Sequence, residues 1–200
     1  MSKLSVNNLS CQRGYNLLFE NLSFDLKSGE ALRICGQNGS GKTSLLKIIA
    51  GLNTPELGSI EFNQSKSNSE KYQLEILYLG HYAALSSELN CIENLEYLTN
   101  LSTKLISPNF YNALKEVGLK NYEHDLAGNL SAGQKRRIAL SLLFISQSKV
   151  WLLDEPFTAL DSNGIKIIEN QIEKHCAKGG LCILTTHQEC NIKSLKEISL

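Results

Sequence analysis

One short stretch constrains this chain more than any other: Gly36-Gln37-Asn38-Gly39-Ser40-Gly41-Lys42-Thr43, which fits the phosphate-binding pattern G-x4-G-K-[ST]. The apolar run Ala31–Cys35 precedes it, and Leu45, Leu46 and Ile49 follow at helical spacing. The order predicts strand, loop, helix. The residue types suit phosphate. Glycines permit positive φ and close backbone approach, so successive N–H groups turn toward an anion. The helix that opens there adds the partial positive charge of its N-terminus. Lys42 reaches the β- and γ-phosphates of a nucleotide, and the Thr43 hydroxyl is a Mg²⁺ ligand. The nucleotide-binding set expected here runs Gly36, Gln37, Asn38, Gly39, Ser40, Gly41, Lys42, Thr43 and Ser44.

Short β-type runs precede the loop, at Leu4–Leu9 and Leu17–Leu26. After it come a helix over Thr43–Ala50, a strand at Ser59–Phe62, a polar surface loop at 63–71 and a strand at Ile76–Leu79. From Cys91 to about Leu119 the pattern turns helical, divided by Pro108, and a further helix spans about Ala132–Ser146. Val150–Leu153 reads as a buried strand. A helix with Ile165, Ile168 and Ile172 on one face follows, then a strand at Leu181–Thr185. Strands alternating with helices argue for an α/β fold with a parallel sheet and a helical insert at about residues 88–146. Tyr97, Phe110, Tyr111 and Tyr122 are expected to pack inside that insert.

The strand Val150–Leu153 ends in Asp154-Glu155-Pro156, and in parallel sheets ligands gather beyond the carboxyl ends of strands. Adjacent side chains diverge there. Asp154 is therefore assigned to the Mg²⁺ shell and Glu155 to the attacking water, as general base.

Composition removes other functions. Lysine plus arginine equals aspartate plus glutamate, 20 of each, so no overall field attracts nucleic acid or lipid. The basic triplet Lys135-Arg136-Arg137 reads as a solvated helix face, not a nucleic-acid patch. Six cysteines without a CxxC pair suggest neither a zinc site nor a disulfide framework, and fit reduced thiols in the cytosol. There is no signal-peptide pattern and no apolar run of the roughly 18–20 residues that span a bilayer. Contact with a membrane is expected only through a partner. No haem-ligation pattern is present either.

Leu130-Ser131-Ala132-Gly133-Gln134, about twenty residues before Asp154, closely resembles the LSGGQ signature of ATP-binding cassettes, the ABC family. Ala159-Leu160-Asp161 resembles that family's D-loop, and Thr185-Thr186-His187 its switch histidine. The resemblance spans roughly residues 4–190. It implies one nucleotide-binding domain over residues 1–200, an ABC-type P-loop ATPase with a mainly parallel core sheet, an N-terminal antiparallel β subdomain and a helical subdomain. It implies ATP hydrolysis with Mg²⁺, with Glu155, His187 and Lys42 as catalytic groups. Ser131, Gly133 and Gln134 are implied to face the γ-phosphate bound by a second cassette, so the active assembly is at least a homodimer. Alignment with the family puts His81 where a metal-shell glutamine usually stands. It puts Arg13 near the adenine-stacking aromatic, with Tyr15 two residues on; either side chain offers a face to the base, and Tyr15 is favoured.

Tyr78-Leu79-Gly80-His81, Glu93-Asn94-Leu95, Leu130 to Arg137, Asp154 to Asp161 and Thr185 to Gln188 together resemble the cytochrome c biogenesis branch of the family, the haem exporter ATP-binding subunits. That resemblance implies a complex with an integral membrane subunit of the CcmB type, docked near Gly80–Asn94. It implies a peripheral position on the cytoplasmic face of the inner membrane and no direct nucleic-acid contact. Alternatives are an ABC ATPase for another substrate and a soluble mechanical ABC ATPase acting on DNA or ribosomes.

Overall fold

The computed structural model describes residues 2–100, 108–193 and 195–200. Two strands open the chain, β1 (Lys3–Arg13) and β2 (Asn16–Lys27), joined through a tight turn at Gly14-Tyr15. They pair antiparallel, and β4 (Leu57–Phe62) and β5 (Ser65–Lys66) extend the sheet in the order β2-β1-β4-β5. The second sheet is all parallel: β3 (Ala31–Cys35), β6 (Ile76–Leu79), β7 (Val150–Asp154), β8 (Leu181–Thr185) and β9 (Leu195–Ser199), in the order β6-β7-β8-β3-β9. Among the described residues six α-helices connect them: α1 (Lys42–Ile49), α2 (Glu70–Gln73), α3 (Cys91–Asn100), α4 (Phe110–Glu116), α5 (Ala132–Ser141) and α6 (Ser162–Ala177).

The parallel sheet is covered on both faces, as its near-continuous apolar strands require. Every residue of β7 and β8 is buried. On one face Val150, Leu152, Leu181 and Ile183 pack with Leu45, Leu46, Ile48 and Ile49 of α1 and with Leu4, Val6, Ile60 and Phe62 of the antiparallel sheet. On the other, Trp151, Leu153, Cys182 and Leu184 meet Ile168 and Ile172 of α6 and the apolar sides of α3, α4 and α5. A large aliphatic side chain buried this way contributes about 1.5–3 kcal/mol. At the end of the sheet remote from the phosphate loop, the Trp151 ring stacks on His175 of α6, centroids 3.7 Å apart and planes 6° from parallel.

Several sequence expectations need correction. The polar stretch 63–71 contains β5 and the start of α2, not a plain loop. The helix from Ala132 ends at Ser141 and tightens into a 3-10 turn at Leu142–Phe144. Tyr97, Tyr111 and Tyr122 are largely exposed, and only Phe110 of that group packs against the core. The strand β9 was not anticipated. The helical run read between Cys91 and Leu119 includes residues 101–107, which lie outside the described residues. All six cysteines are free thiols.

Candidate functional site

The carboxyl ends of β3, β7 and β8 converge on a cleft of about 510 Å³. Its floor is the phosphate loop. Gly41 stands at the N-cap of α1 with φ of 102°, and a side chain there would press into Leu18 and Phe19 at 3.1–3.2 Å. No side chain caps α1, so the first backbone N–H groups of the helix remain available to an anion. Lys42 is 9% exposed; its Nζ donates to the carbonyls of Gly36 (2.8 Å) and Gln37 (3.0 Å), curling the loop around the ammonium. The Ser40 hydroxyl is buried in the same loop without a hydrogen-bond partner.

Asp154 closes the β7 end, and two hydroxyls define it. Thr43 Oγ1 donates to Asp154 Oδ2 at 2.9 Å, and Thr185 Oγ1 donates to Asp154 Oδ1 at 2.8 Å. A hydroxyl and a carboxylate oxygen at this separation are hard donors of the kind Mg²⁺ takes, with nucleotide phosphates completing the shell. Among the described residues no group of three or more histidine, cysteine or acidic side chains is placed to hold a metal ion.

Glu155 follows with φ of 50°, left-handed for a residue with a side chain. Its N–H is anchored by the Thr185 carbonyl (3.2 Å) and hydroxyl (3.0 Å). One carboxylate oxygen accepts from the His187 backbone N–H at 3.3 Å. The other is buried without a hydrogen bond, 3.5 Å from His187 Nε2. Glu155 and His187 thus line the cleft together with Lys42, Thr43, Ser44 and His81. His81 is exposed, edge-to-face with Tyr82 at 5.1 Å. Arg13 also lines the cleft, whereas Tyr15 is fully exposed at the β1–β2 turn and is not among its lining residues.

The cleft does not contain Ser131, Gly133 or Gln134. They line a separate depression of about 370 Å³ with Ala159 and Asp161, and the two depressions share no residue. Ser131 and Gln134 form a complete capping box: the Gln134 N–H donates to Ser131 Oγ at 3.2 Å, and the Ser131 N–H donates to Gln134 Oε1 at 2.9 Å. Gly133 is needed for close approach, since a Cβ there would sit 2.6 Å from the Ala159 carbonyl oxygen.

The basic triplet is not a solvated face. Arg136 is 5% exposed, and its guanidinium donates to the carbonyls of Gly80, His81, Asp154 and Glu155. Arg137 donates to the Val117 carbonyl (2.9 Å) and to Asp161 Oδ1 (2.6 Å). Spacing could have found Arg136, for it shares a helical stripe with Ala139, Leu140 and Leu143, all buried. The Thr185 hydroxyl was likewise missed, and a threonine at a strand end gives no signal of its own. Beside this cluster the half-buried Tyr78 phenol is pushed up to about 12, first by burial and then by the Asp154 charge.

The ABC transporter family profile matches residues 19–158. The chain is 43% identical over 203 residues to the cytochrome c biogenesis ATP-binding export protein CcmA of Mannheimia succiniciproducens, covering 100% of this chain and 94% of that protein. A solved ATP-binding subunit of an ABC transporter superposes with a TM-score of 0.82 at 26% identity, covering 92% of this chain and 79% of that one. A dimeric ATP-binding cassette in a post-hydrolysis state with ADP and Pi shares the fold at a TM-score of 0.81 and 23% identity, covering 92% and 88%.

Proposed function

This chain belongs to the ABC transporter family as an ATP-binding, ATP-hydrolysing subunit, and from that premise we propose that it drives an export system of cytochrome c biogenesis, serving haem delivery. The observation that carries this reading is identity of 43% across the whole chain to a protein of that named role. We read residues 1–200 as one nucleotide-binding domain.

ATP would enter the cleft with its phosphates on the loop Gly36–Ser44 and on Lys42, and its adenine against the Arg13 face. Thr43 and Asp154 would hold Mg²⁺, with His81 toward its water shell, and the ion would neutralise charge on the β- and γ-phosphates. Glu155 takes the proton of the attacking water, and its buried, unbonded oxygen supports that role. His187 positions that carboxylate and meets the γ-phosphate. Ser131, Gly133 and Gln134 of a second copy close over the nucleotide, so the working unit is a homodimer. Opening and closing of the pair moves a separate integral membrane subunit of the CcmB type. Its seat is an apolar groove of about 740 Å³ between β6 and the helical part, with Leu52 and Tyr82 exposed at its edge. No helix among the described residues is long and apolar enough to cross a membrane. In this reading the chain sits peripherally on the cytoplasmic face of the inner membrane, held by that subunit.

The test is a Glu155→Gln replacement in the native gene. Haem-stained gels should lose c-type cytochromes, and affinity purification from detergent-solubilised membranes should still retain a membrane subunit. Normal haem staining would exclude the cytochrome role. A ribosomal or DNA partner in place of a membrane subunit would favour a soluble mechanical ATPase.

A further inference from the structure

Arg136 leaves the helix that begins at the signature serine and enters the interior, where charged side chains are rare unless fully paired. Its fork is divided between two chain segments. Nη1 donates to the Gly80 carbonyl at 2.7 Å and reaches the His81 carbonyl at 3.4 Å; Nη2 donates to the carbonyls of Asp154 at 2.9 Å and Glu155 at 3.0 Å. Burial pulls its pKa down, while the Asp154 and Glu155 charges push it back up.

The recipients explain the placement. Glu155 holds a φ of 50°, which a residue with a Cβ adopts only when its surroundings impose it. Its N–H is fixed by Thr185 from β8. Its carbonyl is fixed by Arg136 from α5, and by the Thr158 N–H at 3.3 Å within the same turn. The residue is therefore held at both its N–H and its carbonyl. The same guanidinium ties it to the Gly80–His81 segment, which borders the apolar groove at Gly80 and the cleft at His81. A lysine ammonium or a glutamine amide lacks the planar fork that serves both segments at once.

We infer that Arg136 is a positioning residue for hydrolysis: it holds the Glu155 backbone in the conformation that presents the carboxylate to the cleft, and locks that residue to the Gly80–His81 segment. The inference rests on the reading of Glu155 as the base.

The experiment compares Arg136→Gln and Arg136→Lys in the full chain, each with Glu155 intact and in a Glu155→Gln background. ATP turnover, KM and thermal midpoint are measured for the first pair, and residual single-turnover hydrolysis for the second. With Glu155 intact, kcat should fall about tenfold or more, because a misplaced catalytic group is costly, while KM moves less than about threefold. In the Glu155→Gln background the same substitutions should change the residual rate less than about twofold, since the group being positioned is already gone. A structural role alone would lower the midpoint and act equally in both backgrounds. Turnover within about threefold of wild type in Arg136→Gln, or an equal loss in both backgrounds, would overturn the inference. If Arg136→Gln does not fold, the same comparisons in Arg136→Lys decide. Full turnover in Glu155→Gln alone would remove the base assignment and this inference with it. An inactive Glu155→Gln beside an unimpaired Arg136→Gln would remove this inference only.

Discussion

The chain builds two depressions at helix starts, and they are finished to different degrees. At α1 no side chain caps the helix and the Ser40 hydroxyl in the loop is unpartnered. At α5 the capping box satisfies both the Ser131 and Gln134 N–H groups from within. The first leaves polar groups without partners in the protein. The second has these groups bonded within the chain and leaves the small residue Gly133 at its surface. In the proposed dimer the first surface is the seat for nucleotide and the second the lid, which serves another copy of the chain.

Substitutions on the two sides should therefore separate binding from turnover. The largest effect belongs to Lys42→Ala. Losing a buried ammonium's bonds to phosphate should weaken ATP binding at least about 100-fold in a filter or calorimetric assay. Retained affinity would break the comparison on the seat side. Next comes Ser131→Arg, where affinity for the isolated chain should stay within about twofold while turnover falls about tenfold or more. Normal turnover there would show that the lid is not used.

Between these sides, the seat's outer wall can be sharpened. Arg13 lines the cleft and Tyr15 does not. Arg13→Ala should cost about fivefold in ATP affinity and Tyr15→Ala less than about twofold, as a cation–π contact of about 1 kcal/mol implies. The reverse order would mean that the β1–β2 turn folds inward over the base.

The smallest effect is a control far from both depressions. Burial holds His175 at about 4, against an ordinary 6.5, although its bonds to the Lys149 and Leu181 carbonyls work the other way. Between those values the unfolded chain takes up a proton that the folded chain refuses. The contribution is thus fully present above pH 6.5 and diminishes as pH drops toward 4. His175→Gln should remove that slope, on the order of 1 kcal/mol in denaturant titrations after allowing for partial exposure. Nucleotide affinity should not change.

Some of this was legible in the residues and some was not, for physical reasons. β3, β6 and β8 match the expected runs end to end, because each is a mostly apolar run that begins directly after a glutamate or a glycine. The edge strand β9, Leu195–Ser199, is only half covered and alternates weakly, so it gave no signal until its partner β3 was in place. The loop, the carboxylates and His187 could be assembled from motif order, since their chemistry demands particular types at particular strand ends. Arg136 could not. Three adjacent charges look like surface, and which one faces inward depends on where the helix rests.

Trp151 is the chain's single tryptophan, three positions before Asp154 on the same strand, and its indole lies flat against an imidazole. Such a pairing is an optical gauge. The indole is shut from water, so its emission should be blue-shifted and partly quenched by the neighbouring ring. A red shift with brightening would then report the opening of α6 from the sheet, with no label added.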